Sequence, residues 1–529
     1  MRKVYLLDCT LRDGGYINDW HFGEEAIKGI CRRLAKAGIE IIEAGFIKGD
    51  NFDPNRSVFP DIQSMKQMIY PKEKNVMYVG MLDMSAPIPL DRIIPYDGTS
   101  IDGIRVIFKK EKIDEAYIYC KRIKELGYKV FVNFVGTDLY TDQEFITGVE
   151  KFNSLMPYAM SIVDSFGLIK RKHFLRLVYL ADNNMAPGIV LCYHAHNNLQ
   201  QAFGNAEALV EMNLKRDICI DACVYGMGRG AGNLNLELFA EYMNENYDTQ
   251  YRIEPMLEIM DEYLSDIYKR KFWGYSLPLY LSASTGCHPN YAIYLAEKDS
   301  LTVKAFNELL RGIPDNMKAK FSKERAENYY REYQENYIDD NKTVEELSEV
   351  MKGRRILLLA PGRSLNEYAG EIHKIIEKEN PIVIAVNFAG AEFHPDYIFS
   401  SNMRRFNKIQ GRTDAKCIIT SNMKDCTQSD YVVNFSSYTS KEADIIDNSG
   451  LMALRLLIAI GVQSVFVAGM DGYVSYQGRD YINENLEYDF GKATKQRNLM
   501  ISDEICKISN SLKLEFVTPT TYVVQEGEK

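Results

Sequence analysis

The chain has 529 residues, more than one hydrophobic core usually covers, so two or three domains are expected. Its hydrophobic share (46%) and charged share (26%) sit at globular averages and exclude a disordered, collagen-like or fibrous chain. A formal net charge of -10 provides no global basic field for nucleic acid or an anionic membrane, so an anionic ligand must be held by local groups.

The first residues, MRKVYLLDCTLRDGG, reach Asp8 and Arg12 too early to contain the apolar region of a signal peptide. The longest apolar stretch, from Leu451 to Ala468, is interrupted by Arg455, Gly461 and Gln463, which argues against a membrane span. A cytoplasmic protein is expected. Its ten cysteines are scattered without a Cys-x-x-Cys pair, the pattern of reduced core thiols rather than a disulfide framework or a thiolate zinc site.

Eight β-rich runs open the chain, at 4–10, 39–46, 76–83, 101–108, 129–137, 159–167, 188–196 and 217–226. Amphipathic stretches such as 24–38 and 114–127 separate them, both ending at a glycine as helices often do. Eight strand-helix units predict an α/β fold, a (β/α)8 TIM barrel over residues 1–248, with an open doubly wound sheet as the weaker alternative. Residues 249–350 carry helical periodicity, dense charge and many tyrosines. They read as a helical appendage and linker whose charges form a solvated face, and as a surface for a homo-oligomer. Apolar runs return at 354–365, 381–388, 396–402, 416–422, 430–437 and 462–473, predicting a second, Rossmann-like α/β domain over 351–529.

In a barrel, reactive groups sit at the C-terminal ends of the strands. The first run is followed at once by Thr10-Leu11-Arg12-Asp13-Gly14-Gly15, and the seventh ends in His194-Ala195-His196-Asn197-Asn198. Alternation along a strand sends His194 and His196 to the same side, a good metal half-site. Asp13 and Asn233, the latter in the loop GMGRGAGN (226–233), complete a nitrogen and oxygen shell suited to a divalent cation such as Mn, Mg, Co, Fe or Zn. Glu43 and Asp164, ending the second and sixth runs, are carboxylates with either a site role or a structural hydrogen-bonding role.

These residues, with Glu43-Ala44-Gly45-Phe46, resemble the metal-dependent lyase and aldolase superfamily that includes hydroxymethylglutaryl-CoA lyase, isopropylmalate synthase and 4-hydroxy-2-oxovalerate aldolase, over residues 1–295. The resemblance implies a metal on Asp13, His194, His196 and Asn233, with Arg12 steadying an enolate oxygen. Aldolases of the family carry a basic His three residues after the metal Asp and the condensing enzymes usually carry Gln, whereas this chain has Tyr16. At the position of the lyase's cysteine stands Val224, and the adjacent Cys223 is expected to face the other way as a core thiol. The general base stays open among His21, Tyr16, and His288 or Tyr291 in the unusual segment Ser284-Thr285-Gly286-Cys287-His288-Pro289-Asn290-Tyr291, which the resemblance would bring over the barrel mouth.

In the second domain, ILLLA (356–360) runs into Pro361-Gly362-Arg363-Ser364, a glycine turn that could present backbone N-H groups to a phosphate, and Asn448-Ser449-Gly450 precedes an apolar helix with the same logic. With Asn387, Asn402 and Gly469-Met470-Asp471, this set resembles the nucleotide-sugar fold of bacterial sialyltransferases and of glycosyltransferase-like proteins near flagellin glycosylation, over residues 352–480. It implies a cytidine or uridine nucleotide, or a nucleotide-sugar, near Gly362, Ser364, Asn387, Ser449 and Asp471. Sialyltransferases use a histidine of the C-terminal half as base, and this chain has none after His394. The expectation is a bifunctional enzyme: a metal-dependent aldolase acting on a pyruvate-type 2-oxo acid and an aldehyde, joined to a nucleotide-sugar-binding or glycosyltransferase-like domain, in surface-glycan assembly. The alternatives are a Claisen-type acetyl-CoA condensing enzyme, and an aldolase with a non-catalytic nucleotide-sensing domain.

Overall fold

The computed structural model describes residues 2–522 apart from 50, 299, 336, 410, 412, 424–425, 427–428, 475–480 and 483–493. It forms two compact units, Met1–Ile293 and Tyr294–Lys529, so the helices of the 249–350 stretch are shared between them. No helix among the described residues is long and apolar enough to cross a membrane.

Eight parallel strands close the first unit: β1 Val4–Asp8, β2 Ile41–Ile47, β3 Met77–Asp83, β4 Gly103–Phe108, β5 Lys129–Phe134, β6 Ala159–Asp164, β7 Val190–Ala195 and β8 Ile218–Ala222. Closure is made by β1, which pairs with β8 from Val4↔Ile218 to Asp8↔Ala222 and with β2 at Leu7↔Ile41. Helices cover the outside, so the strands are buried on both faces and read as nearly continuous apolar runs. The helix Glu24–Ala37 shows the local logic: two glutamates in its first turn, an apolar stripe including Ile27, Ile30 and Leu34, and Gly38 at φ 88° as its left-handed stop. A short strand, Val58–Phe59, adds to the end of β2, and the register of β2 against β3 shifts between Glu43 and Phe46. Gly45 makes that possible. It sits at φ 149°, and a Cβ there would meet the Ser57 carbonyl oxygen at 2.1 Å.

The second unit holds seven parallel strands: β9 Ile356–Leu359, β10 Ile382–Val386, β11 Tyr397–Ser400, β12 Lys416–Thr420, β13 Tyr431–Val433, β14 Ser464–Ala468 and β15 Lys513–Phe516. Their order is β13-β12-β11-β10-β9-β14-β15, so the direction of winding reverses at β9. In open parallel sheets ligands bind beyond the strand ends at such a reversal. The helix Ser449–Ile460, capped by the Asn448 side chain accepting from the Leu451 N-H, is apolar nearly all round because it forms part of the core. β15 escaped the sequence reading, being four half-exposed or exposed residues without a clear apolar alternation.

Candidate active site

The chain leaves β1 in a tight turn, with the N-H groups of Arg12 and Asp13 both donating to the Cys9 carbonyl, at 3.2 and 2.7 Å. That turn carries Asp13 to the two histidines ending β7. His194 Nε2 lies 3.4 Å from Asp13 Oδ2, and His196 Nε2 lies 3.9 Å from Asp13 Oδ1. All three side chains are buried, and one ligand atom from each falls within 4.8 Å of the others. Asn233 joins them, donating from Nδ2 to Asp13 Oδ1 at 3.1 Å. The donor set fits a divalent cation on two grounds. Two imidazoles, a carboxylate and an amide are ligands that such ions accept. Moreover, Asn233 Oδ1 is buried with no hydrogen-bond partner among the described residues, an expensive state for a polar atom unless something else engages it.

Electrostatics prepare the same atoms. Burial opposes a charge on Asp13, but Arg12 and the two imidazoles outweigh it and hold the carboxyl well below its ordinary range. Burial, aided by the charges of Arg229, His194 and Arg12, pushes His196 down to about 3, so its ring is neutral and keeps a free lone pair. His194 moves the other way: burial opposes its charge, but Asp13 and Asp221 hydrogen-bond to its two nitrogens and raise it well above the ordinary value.

Two residues absent from the sequence reading organise this cluster from within the barrel. Asp221, on β8, has Oδ2 3.1 Å from His194 Nδ1 and is also paired with Arg105, on β4. Arg105 Nη1 lies 3.1 Å from Glu43 Oε2 on β2, and the same Glu43 oxygen accepts from Arg12 Nε at 2.7 Å. Arg12 pairs in turn with Asp13. One fully buried guanidinium thus supports the carboxylate behind a candidate ligand and the carboxylate that holds Arg12. The signal was in the sequence: a lone Arg in GIRVIF and a lone Asp in ICIDA are charges inside apolar strands, and buried charges need partners.

Cys223 departs from its expected orientation. It lies just past β8, two residues beyond Asp221, and so shares Asp221's side; its Sγ is 3.4 Å from Cys9 Sγ and accepts from Asn233 Nδ2 at 3.3 Å. Burial pushes its thiol up to about 11, so it packs against the cluster as a neutral thiol. Asp164 has its two oxygens accepting the backbone N-H groups of Leu168 and Ile169, at 2.8 and 3.0 Å, and so shapes the loop after β6.

Around the cluster stand the remaining candidates. Tyr16 forms an aromatic wall with Trp20 and Phe46, at centroid separations of 4.9 and 6.2 Å, and the Trp20 indole N-H donates to the Arg12 carbonyl at 2.7 Å. Arg229 lies 5.3 Å over the Tyr16 ring. Burial raises the Tyr16 phenol, which keeps its proton. The His288 ring packs on Phe166, just past β6, at 5.0 Å, so the 284–291 segment reaches the end of the barrel that carries the Asp13, His194 and His196 cluster. Burial, with Arg229 and Lys109 nearby, pushes His288 down to about 3 and keeps it neutral. Tyr291 is wholly buried. His21 stands apart, half-exposed and 3.7 Å from Asp19, in a bridge with Arg56.

In the second unit a cavity of about 150 Å³ opens beyond the strand ends beside β9. Gly362, Asn387, Ser449 and Asp471 line it, with Lys298, Arg405 and Arg497 as cations and Tyr473, Tyr481 and Tyr522 as aromatics. The glycine turn does not present free donors. Asp471 Oδ2 already accepts the Ser364 N-H at 2.8 Å, and its Oδ1 takes the Ser364 hydroxyl. The reason is steric as well as electrostatic: a Cβ on Gly362 would stand 2.7 Å from the Asp471 carboxyl carbon. The phosphate expected at Ser364 therefore meets a carboxylate already in place. Asn387 and Ser449 are likewise engaged, Asn387 Nδ2 donating to Ser449 Oγ and the Ser400 hydroxyl donating to Asn387 Oδ1, each at 2.7 Å.

Residues 3–261 match the model of the HMGL-like family. Among curated relatives, a 4-hydroxy-2-oxovalerate aldolase of Desulfitobacterium hafniense is 24% identical over 284 residues, covering 51% of this chain and 80% of its own. A 2-isopropylmalate synthase of Pyrococcus abyssi is 25% identical over 248 residues, covering 45% of this chain and 50% of its own. Among solved structures, the N-terminal domain of a putative aldolase from Bacteroides vulgatus is similar with a TM-score of 0.47 at 23% identity, covering 55% of this chain and 96% of that one.

Proposed function

We propose that the first unit is a divalent-metal-dependent aldolase that joins a pyruvate-type 2-oxo acid to an aldehyde, or cleaves the product. The observation that carries this reading is the buried cluster of Asp13, His194, His196 and Asn233, with an Asn233 oxygen that no group among the described residues engages. These four residues would hold the cation, which supplies Lewis acidity to the carbonyl of the 2-oxo acid. Arg12, fixed by Glu43 and Asp13, adds a positive charge where an oxyanion develops. His288, neutral and packed on Phe166 just past β6, takes a proton from the methyl carbon. The methyl carbon then bonds to the aldehyde carbon, and the former aldehyde oxygen takes up the proton. The 4-hydroxy-2-oxo acid formed contains every atom of the two reactants.

Exchange of pyruvate methyl protons with deuterated water tests this reading. Metal-dependent exchange that His194→Ala abolishes is expected; exchange indifferent to metal and to that substitution would sink it. The 2-isopropylmalate synthase relative favours one rival, Claisen condensation with acetyl-CoA. Release of coenzyme A on mixing acetyl-CoA with 2-oxo acids would select it.

For the second unit we propose binding of a cytidine or uridine nucleotide, alone or joined to a sugar, in the cavity beside β9. Support comes from its place at the winding reversal and from a lining that combines cations with tyrosines. Glycosyl transfer is the finer form of this proposal, and turnover of a nucleotide-sugar, rather than binding alone, distinguishes it from a sensing domain.

A further inference from the structure

Cations crowd one end of the barrel beyond the needs of the metal cluster. Arg12 is held by Asp13 and Glu43 and serves the reacting end of the 2-oxo acid. Lys48, one residue past β2, is different. Its ammonium lies 4.7 Å from the Phe46 ring centre and 5.2 Å from that of Trp20, and among the described residues no carboxylate lies within ion-pair distance. Arg229, in the loop after β8, rests on Tyr16 and makes a long contact, 3.4 Å, to the Ser165 carbonyl. Lys109 follows β4 directly and is exposed, and its charge acts on His288 together with that of Arg229. Among the described residues one opposing acid on this side is Asp83, at the end of β3, whose charge acts on Tyr16 and whose Oδ1 accepts from the Ser85 N-H.

The pieces are contiguous. Arg229 touches Tyr16, Tyr16 touches Trp20 and Phe46, and Phe46 touches Lys48 and Arg12, so two cations without carboxylate partners among the described residues flank one aromatic wall beside the metal cluster. A 2-oxo acid brings one carboxylate, which the cation and Arg12 are placed to receive. A second anionic group would answer Lys48 and Arg229, while the wall takes the carbon chain between. A small neutral aldehyde would leave both charges unanswered.

We infer that the acceptor of this barrel carries its own anionic group, a carboxylate or a phosphate, received between Lys48 and Arg229. The inference rests on the aldolase reading and names the substrate class of that site. It fits a chain whose net charge of -10 repels such a substrate at long range and must bind it locally.

The test compares kcat/KM of the metal-loaded full chain for pyruvate with propanal, with succinic semialdehyde and with glyceraldehyde 3-phosphate, with pyruvate methyl exchange measured alongside. The expected result is a preference of about tenfold or more for one of the anionic aldehydes over propanal, weakening with added salt. The carboxylate and phosphate arms identify which anion is received. In Lys48→Met and Arg229→Gln the ratio of anionic to neutral kcat/KM should drop by about tenfold; a general folding defect would lower both terms and leave the ratio in place. Exchange with no preference for either anionic aldehyde overturns this inference and leaves the aldolase reading standing. A preference that neither substitution changes overturns the assignment to Lys48 and Arg229. Absence of exchange removes both the reading and the inference.

Discussion

At the ends of their parallel strands the two units treat polar groups in opposite ways. In the barrel, the buried atoms Glu43 Oε1, His196 Nδ1, Asp221 Oδ1 and Asn233 Oδ1 have no hydrogen-bond partner among the described residues. In the second unit, Ser364 with Asp471 and Asn387 with Ser400 and Ser449 are satisfied among themselves. An unsatisfied buried oxygen next to a carboxylate and two imidazoles is a cluster that protein alone does not complete, whereas a closed network is a finished wall. The difference teaches where chemistry belongs in this chain. On the reading proposed above, the first cluster would hold an ion, whereas the second shapes a cavity.

The largest effects should come from breaking the first arrangement. His196→Ala removes a neutral imidazole from the cluster, and metal-dependent pyruvate exchange should fall by about 10²- to 10³-fold, the scale of losing one preorganised electrostatic group. Isotope exchange followed by NMR measures it; a loss of less than about threefold would remove His196 from the ligand set. Asp221→Asn is subtler. It keeps the shape but weakens the carboxylate that fixes His194 Nδ1 and pairs with Arg105, so metal affinity should drop by about 10- to 100-fold in titration calorimetry. Unchanged affinity in a folded variant would mean that Asp221 serves only to pair Arg105.

Much of the barrel was legible in the sequence because both the strands and their ends leave local marks. Glycine stops, apolar runs and the His194-x-His196 spacing lie within a few residues of one another, and each strand expected over 4–226 forms within three residues of its expected start. Long-range partnerships leave no such mark. Nothing local tells that Arg105 will lie between Glu43 and Asp221, or that Asp471 will fold back onto Ser364, 107 residues earlier. The phosphate logic of the Gly362 turn was sound for an isolated strand and helix, and it is the distant carboxylate that alters it.

Buried charge gives a third, smaller way to sharpen the contrast. Asp8 is wholly buried in β1, where burial lifts its carboxyl to about 7, while hydrogen bonds from Thr10 partly compensate. The folded state therefore binds a proton that the unfolded chain releases near 4, so the stability Asp8 supplies is complete below that value and is lost as pH rises through 7. Asn imitates the protonated acid at every pH. Asp8→Asn should thus gain on the wild type by about 2 kcal/mol between pH 5 and 7.5, read from denaturant titrations at each pH. A difference independent of pH would mean that Asp8 folds as the anion.

The smallest effect is the one that sets the two units most directly against each other. Removing a carboxylate from the barrel network should weaken ligand binding, because the ligand expected there is a cation. In the second unit Asp471 occupies the place where the Ser364 donors would meet an anion, and burial already raises its carboxyl. Asp471→Asn should therefore tighten the binding of cytidine or uridine diphosphate by about threefold, since a negative charge leaves the cavity wall while Lys298, Arg405 and Arg497 remain. Calorimetric titration of the full chain with both diphosphates decides it. If affinity falls instead, the carboxylate contacts the nucleotide directly, through a ribose hydroxyl or a base N-H, and the Ser364 bond is a resting position that binding replaces. The same change of Asp to Asn would then act in one direction in both units, and the contrast between an ion-holding cluster and a finished wall would no longer stand.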